Sequence, residues 1–394
     1  MPPRLTTITS LSTPGRRRAA SPLAGVGQTL RSLDALLLLS VLLLLGTGLA
    51  AIHAATWSRT GGNATLLRQG FYDAAGLILL ALVAGRDYRQ MPRWAGVLYG
   101  AMLLLLVIVL FAAPNTRGAA RWIHLPIPGM DFKLQPSEFA KVGIILTLSN
   151  YVTHLGARIR EPVALAKTLV HVGVPMLLIM KQPDLGTSLV FLAIWFGIVF
   201  LAGAKWQHLL LLLVAGVALF GFAWRANVLH KFQKDRIRTF VNPLSDPQGK
   251  GYHVLQAETA IGGGGISGQG WKRGMQTNGR FIPENHTDFV FTVIGEEAGF
   301  VGGCALLGVY GVFLYRGVRT IGECEDSAGR LIAGGVTTLF AFHLVVNVGM
   351  NCGILPVVGV PLPLVSFGGS ATWANLAAVG LLLSVHRHRR QFHF

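Results

Sequence analysis

The stretch FIPENHTDFVFTVIGEEAGFVGG, residues 281–303, decides the fold: a proline-marked polar segment runs directly into a hydrophobic helix of membrane grade. Three carboxylates, Asp288, Glu296 and Glu297, stand at or inside that helix. An ionisable group in a span costs ~2.5–3.5 kcal/mol on insertion scales, so such groups are functional or paired by default.

The rest of the chain supplies the same solvent. Apolar residues make up 52% of the 394 and charged residues 13%, with a mean hydropathy of +0.53, which points to a bilayer. A spanning helix needs ~20 largely apolar residues, and only structures that satisfy their own backbone can cross. Hydrophobic runs fall at 34–53, 71–85, 93–113, 138–153, 163–180, 185–203, 206–224, 288–315, 330–352 and 369–386. The expected fold is all-α and polytopic, with ten transmembrane helices in a single membrane domain over 34–390. Residues 1–33, rich in Pro, Ser, Thr and Arg and lacking an apolar h-region, read as a disordered basic tail, not a cleaved signal. Cys304, Cys324 and Cys352 show no C-x-x-C spacing and read as free thiols.

Ten crossings put both termini on one side, and the basic residues choose the side. Arg4, Arg16, Arg17, Arg18 and Arg31 precede the first run. Arg86, Arg89 and Arg93, then Arg158, Arg160 and Lys167, then Lys205, then Arg316, Arg319 and Arg330 fill alternate connections, and Arg387, Arg389 and Arg390 close the chain. The expected location is a cytoplasmic membrane with both termini in the cytoplasm.

A large extracytoplasmic loop, 225–285, between the seventh and eighth helices holds nine basic and four acidic residues. Within it RANVLHKFQKDRIRTFV places Leu229, Phe232, Ile237, Phe240 and Val241 near one helical face, as in an interfacial helix. VLQAETAI reads as a short helix and GGGGISGQG as a flexible or tightly turned segment. A basic helix lying on anionic headgroups would explain the loop equally well.

In this topology Glu138, Lys141, Asp184 and Asp288 share the outer face with that loop. Glu138 and Lys141 in QPSEFAK are three apart and can form a simple helix-end ion pair. Asp184 in KQPDLGTS can equally be a helix N-cap. Asp288 can cap too, but a helix dipole that favours its charge and a membrane face that opposes it suit a general base near neutral pH. Glu296 and Glu297 read as a buried structural pair. Trp122 and Trp271 fit an interfacial belt as well as a sugar-stacking platform. WIHLPIPGMDFKLQPSE (122–138) and ILPVVGVPLPLVSFGGS (354–370) are irregular segments of a kind tolerated at membrane depth only over protein or a water-filled cavity.

RWIHLPIPGMDFKLQPSEFAK, KQPDLGTSLV, GYHVLQAETAIGGGGISGQGW, IPENHTDFVFTVIGEEAGFVG and ILPVVGVPLPLVSFGGS, with SVHRHRR at the end, resemble the SEDS proteins (shape, elongation, division and sporulation). PVVGVPLPLVSFGGS, SVHRHRR and NPLSDPQGKGYH are more similar to the RodA branch than to the FtsW branch. Gly279, Arg280 and Asn285 depart from the family's usual choices.

The resemblance implies a ten-span peptidoglycan glycosyltransferase that polymerises lipid II at the outer face, for elongation and cell shape. It places the family's catalytic aspartate on Asp288 and its important charged positions on Glu138, Lys141 and Asp184. Arg117, Arg121, Trp122, His286, Thr287 and Ser366 complete the expected substrate-binding set. A divalent cation, Mg or Mn, is an option beside them, and the implied partner is a class B penicillin-binding protein. A lipid II flippase, an FtsW-type division enzyme, an ion-coupled transporter and a non-catalytic scaffold are the rival readings; no internal repeat supports the transporter.

Overall fold

The structure, a computed structural model, describes residues 34–58, 61–112, 121–127, 130–226, 231–246, 249–283 and 285–389. The N-terminal tail expected over 1–33 lies outside these residues, as does Arg117. The chain is mainly helical. In order come α1 (Ala35–Thr56), α2 (Gly62–Ala84), α3 (Ala95–Ala112), strands β1 (Ile123–Ile127) and β2 (Met130–Leu134), α4 (Pro136–Leu155), α5 (Pro162–Lys181), α6 (Leu185–Leu201) and α7 (Trp206–Arg225). Then follow α8 (Lys231–Val241), α9 (Lys250–Gly264), α10 (Met275–Asn278), α11 (Val290–Glu323), α12 (Ser327–Asn351) and α13 (Gly369–Arg387).

Ten of these helices, α1 to α7 and α11 to α13, have 17 or more residues, and each lies on one of the ten hydrophobic runs. Six (α1, α2, α5, α7, α11 and α12) are long and apolar enough to cross a membrane. Starts are set by local chemistry: Asp34, Asp184 and Asp326 cap α1, α6 and α12 through their side chains, and Pro136 and Pro162 open α4 and α5, positions where a missing N–H costs nothing. Helix α2 begins at 62, not 71, because its first turns are polar. Gln69 is buried there, donating to Asp73 (2.8 Å) and Thr372 (3.1 Å).

One expectation needs correcting. The fold is not purely helical: β1 and β2 pair antiparallel, Ile123 opposite Leu134 and Ile127 opposite Met130, so backbone expected to be irregular satisfies its own polar groups. The 225–285 connection carries the two helices expected there, bounded as α8 and α9, and a further short one, α10, with α9 packed along α11.

Helix α11 is broken at Gly299 (φ +67°, ψ −163°), a region of backbone space essentially reserved for glycine. Residues 265–270 fill the break. Gln269 and Gly270 N–H donate to the Glu296 and Glu297 carbonyls (3.0 Å each), and Phe300 and Val301 N–H donate to the Gly265 and Ile266 carbonyls (2.9 and 3.1 Å). The glycine-rich segment is therefore tightly turned, and it replaces the helical bonds lost at the kink.

Helix α1 packs on α11, α13 on α2, and α12 on α6 and α11. Helix α7 differs: of its residues only Leu209 is buried. At one end of the bundle ion pairs gather the helix ends, with Arg316 on Asp34 (2.6 Å) and Arg389 on Glu323 (2.9 Å).

Candidate active site

At the opposite end, the turn before α11 is fixed through its main chain. The Asp288 carbonyl accepts from Asn347 Nδ2 (2.9 Å) and Asn351 Nδ2 (3.2 Å) on α12. The Thr287 carbonyl accepts from Ser366 Oγ (2.6 Å), and the His286 carbonyl from the Phe367 N–H (2.9 Å). Ser366 Oγ also accepts from the Leu362 N–H (2.8 Å). With three consecutive carbonyls occupied, the main chain around Asp288 is held from α12 and from the 352–368 segment. The N-cap of α11 is Phe289, so Asp288 stands one residue before the cap position.

The Asp288 carboxylate lies over Gly359, which has φ +72°; a Cβ there would stand 3.2 Å from Oδ2. Asp184 caps α6, accepting from Thr187 N–H (3.1 Å) and Thr187 Oγ1 (2.9 Å), and also receives Gln135 Nε2 (3.3 Å). The structural alternative for Asp184 thus holds, but its second oxygen also faces the entry to α4. Arg121, at the foot of the hairpin, donates to the Gln182 carbonyl (2.8 Å) and to that of Pro183, which brings it to the same corner.

One charged group stands out only in the structure. Arg236 of α8 is half-buried, and its Nε and Nη1 are shielded from solvent without a hydrogen-bond partner. Burial lowers its pKa first and the Arg121 charge lowers it further, while Asp184 and Asp288 oppose both. Arg121, Asp184, Arg236 and Asp288 therefore form one electrostatic group drawn from four separate segments. A sequence signal existed: position 236 is four residues from both Phe232 and Phe240, so it lies on the apolar face of an amphipathic helix, where a cation is unusual.

Glu138 and Lys141 pair at 2.8 Å and are almost wholly buried. Lys141 Nζ also meets His343 Nε2 (3.3 Å), whose Nδ1 meets the Pro361 carbonyl (3.0 Å). The pair is thus tied into the 352–368 segment that frames Asp288 and is more than a helix-end bridge. His286 and Thr287 adjoin Asp288 through the chain itself. Trp122 is half-buried beside Arg121 and, among the described residues, makes no ring contact.

The two deeper carboxylates separate. Glu296 is fully buried and accepts from Gln276 N–H (2.6 Å), Thr277 N–H (2.9 Å) and Thr277 Oγ1 (2.7 Å), anchoring α10. Glu297 lines a small cavity of about 150 Å³ against α1 with Trp271 and Ala51. Among the described residues no three His, Cys, Asp or Glu side chains stand together as a metal site.

A helical bundle with several membrane-grade helices and, at one end, carboxylates and guanidiniums framed by irregular backbone defines a polytopic membrane protein with a charged site at that end. The chain belongs to the FtsW, RodA and SpoVE family of cell cycle proteins, whose sequence pattern covers residues 33–391. It is 37% identical to peptidoglycan glycosyltransferase MrdB of Escherichia coli K12 over 338 residues, 85% of this chain and 89% of that one. To the peptidoglycan glycosyltransferase RodA of Treponema pallidum it is 32% identical over 427 residues, 90% of this chain and 97% of that one. A chain from a peptidoglycan synthase complex that coordinates polymerization and crosslinking superposes with TM-score 0.79 at 34% identity, covering 91% of this chain and 99% of that one. Thermus thermophilus RodA superposes with TM-score 0.67 at 32% identity, covering 91% and 98%.

Proposed function

We propose that this protein is a peptidoglycan glycosyltransferase of the RodA type, joining lipid II units into glycan strands at the outer face of the cytoplasmic membrane. The observation that carries the reading is the group of Arg121, Asp184, Arg236 and Asp288 at the end of the bundle where α11 begins. Its relatives named peptidoglycan glycosyltransferase support it.

Asp288 takes the proton from the 4-hydroxyl of the acceptor GlcNAc, which is a poor nucleophile until deprotonated. The new oxygen–carbon bond forms at the anomeric carbon of the donor as its bond to the lipid pyrophosphate breaks, and the electron pair leaves with the pyrophosphate. One displacement turns an α-linked donor into a β-linked product, so no covalent nucleophile is needed. Arg121 and Arg236 meet the growing phosphate charge from a low-dielectric wall. Lys141 holds Glu138 and His343 in place behind them. A divalent cation, Mg or Mn, finds no ready-made cluster among the described residues; chelation tests the need for it.

In this reading all ten long helices cross the bilayer, both termini lie in the cytoplasm, and the partner is a class B penicillin-binding protein. The test is to purify the full chain with that transpeptidase, supply lipid II and resolve glycan strands on a gel. Asp288→Asn should abolish strands while lipid II binding persists. Wild-type polymerisation by Asp288→Asn sinks the general base; lipid movement across vesicles without polymer supports a flippase instead.

A further inference from the structure

Helix α7 stands apart from the bundle, and its foot carries a cavity the proposed chemistry does not use. The cavity is a shallow one, widely open to solvent, with a volume of about 650 Å³, and is lined by Arg160 from the α5 approach, Gly203 and Lys205 from the α6–α7 connection, and Trp206, Gln207 and His208 of α7. Three basic side chains converge here and, among the described residues, no carboxylate lines the wall; Glu161, next to Arg160, is not part of it.

These cations contrast with their neighbours at the same end of the molecule. Arg316 and Arg389 are ion-paired, Arg319 pairs with Glu323 (2.6 Å), and Arg89 donates to the His388 carbonyl (2.9 Å). Arg160 and Lys205 have no such partner among the described residues. His208 Nδ1 is shielded from solvent and likewise unpartnered. Arg160 and Lys205 are exposed, so solvent screens most of their mutual repulsion, but a shielded ring nitrogen without a partner has a cost of its own.

We infer that this cavity binds the phosphate diester of an anionic phospholipid from the cytoplasmic leaflet. The inference rests on the membrane orientation proposed above but not on the glycosyltransferase reading. Basic pockets between helices at that surface suit anionic headgroups, and the leaflet's negative potential concentrates them there. Trp206 is 64% exposed at the rim, the placement of an interfacial ring. Leu210, Leu213, Val214 and Val217 on the same helix are exposed and offer the acyl chains an apolar wall. One lipid held by Arg160, Lys205 and His208 bridges α7 to the α4–α5 connection, supplying packing that α7 otherwise lacks.

The experiment measures lipid adducts on the full chain in detergent by native mass spectrometry, with phosphatidylglycerol, phosphatidylcholine and inorganic phosphate as separate probes. Phosphatidylglycerol should bind in preference to phosphatidylcholine. Arg160→Gln/Lys205→Gln should weaken it about thirtyfold, whereas Arg160→Lys/Lys205→Arg keeps most of the affinity. Arg86→Gln/Arg93→Gln removes equal charge elsewhere on that end and should change binding less than threefold or so. Equal losses in both neutralising pairs would mean diffuse attraction and overturn the site. An equal loss in the charge-keeping pair would do the same, and inorganic phosphate displacing phosphatidylglycerol at equal concentration would assign the cavity to free phosphate. Strand synthesis is not part of the readout, so failure here leaves the catalytic reading standing.

Discussion

Glu296→Gln should loosen α10 and leave the Asp288 turn intact. In the wild type Oε1 accepts from the Gln276 N–H, while Oε2 accepts from the Thr277 N–H and Oγ1. A glutamine keeps one acceptor. Its better orientation puts oxygen at the Thr277 pair and turns the amide nitrogen toward the Gln276 N–H, losing a charge-assisted bond and setting donor against donor. Leaving one shielded N–H unsatisfied costs about 1–3 kcal/mol, and taking about 2–3 kcal/mol here lowers local protection roughly 30- to 150-fold. Hydrogen exchange of the peptide covering 274–279 measures this directly. Gly274→Ala should act the same way, because its Cβ would come 2.6 Å from Glu296 Oε2. Asp288→Asn should leave exchange at 274–279 unchanged. If Glu296→Gln exchanges there within about threefold of wild type, the hydrogen bonds to Glu296 are not what holds α10, and the reasoning fails.

Lys141→Met should destabilise by about 3–5 kcal/mol, since it strands Glu138 as an unpaired buried charge; detergent melting should show Glu138→Gln/Lys141→Met recovering part of that loss while strand synthesis stays low. Gly359→Ala puts a methyl 3.2 Å from Asp288 Oδ2 at φ +72°; backbone strain of about 1–2 kcal/mol should appear as slower polymerisation with little change in lipid II binding. Arg236→Lys should retain more activity than Arg236→Gln, and both should melt near wild type, because Arg236 Nε and Nη1 make no bond to lose. A melting loss at Arg236 as large as that at Lys141 would make it a structural residue.

What was legible in the sequence follows from what hydropathy can see. The ten runs locate the ten long helices because each of those helices is built on unbroken apolar length, but they miss the polar first turns of α2, where Gln69 donates to Asp73. The hairpin was hidden by its prolines and by its short strands, whose pairing depends on a partner segment rather than on local preference. Asp288, Asp184, Glu138 and Lys141 were visible as charges at helix ends. Arg236 was not separated from eight other basic residues, because its distinction is proximity to Arg121, Asp184 and Asp288 across four segments.

The broken helix explains why one short stretch can carry carboxylates with such different settings. Were α11 continuous through Gly299, its outer turns would bond only to themselves, and residues 265–270 would have no backbone partners there. The break frees the Glu296 and Glu297 carbonyls to accept from Gln269 and Gly270, which draws the glycine-rich segment and α10 over Glu296. Upstream, the same helix start is held from the other side by Asn347, Asn351 and Ser366. Asp288 is thus clamped through its main chain between α12 and the 352–368 segment, while the break at Gly299 organises the Glu296 side of the same stretch.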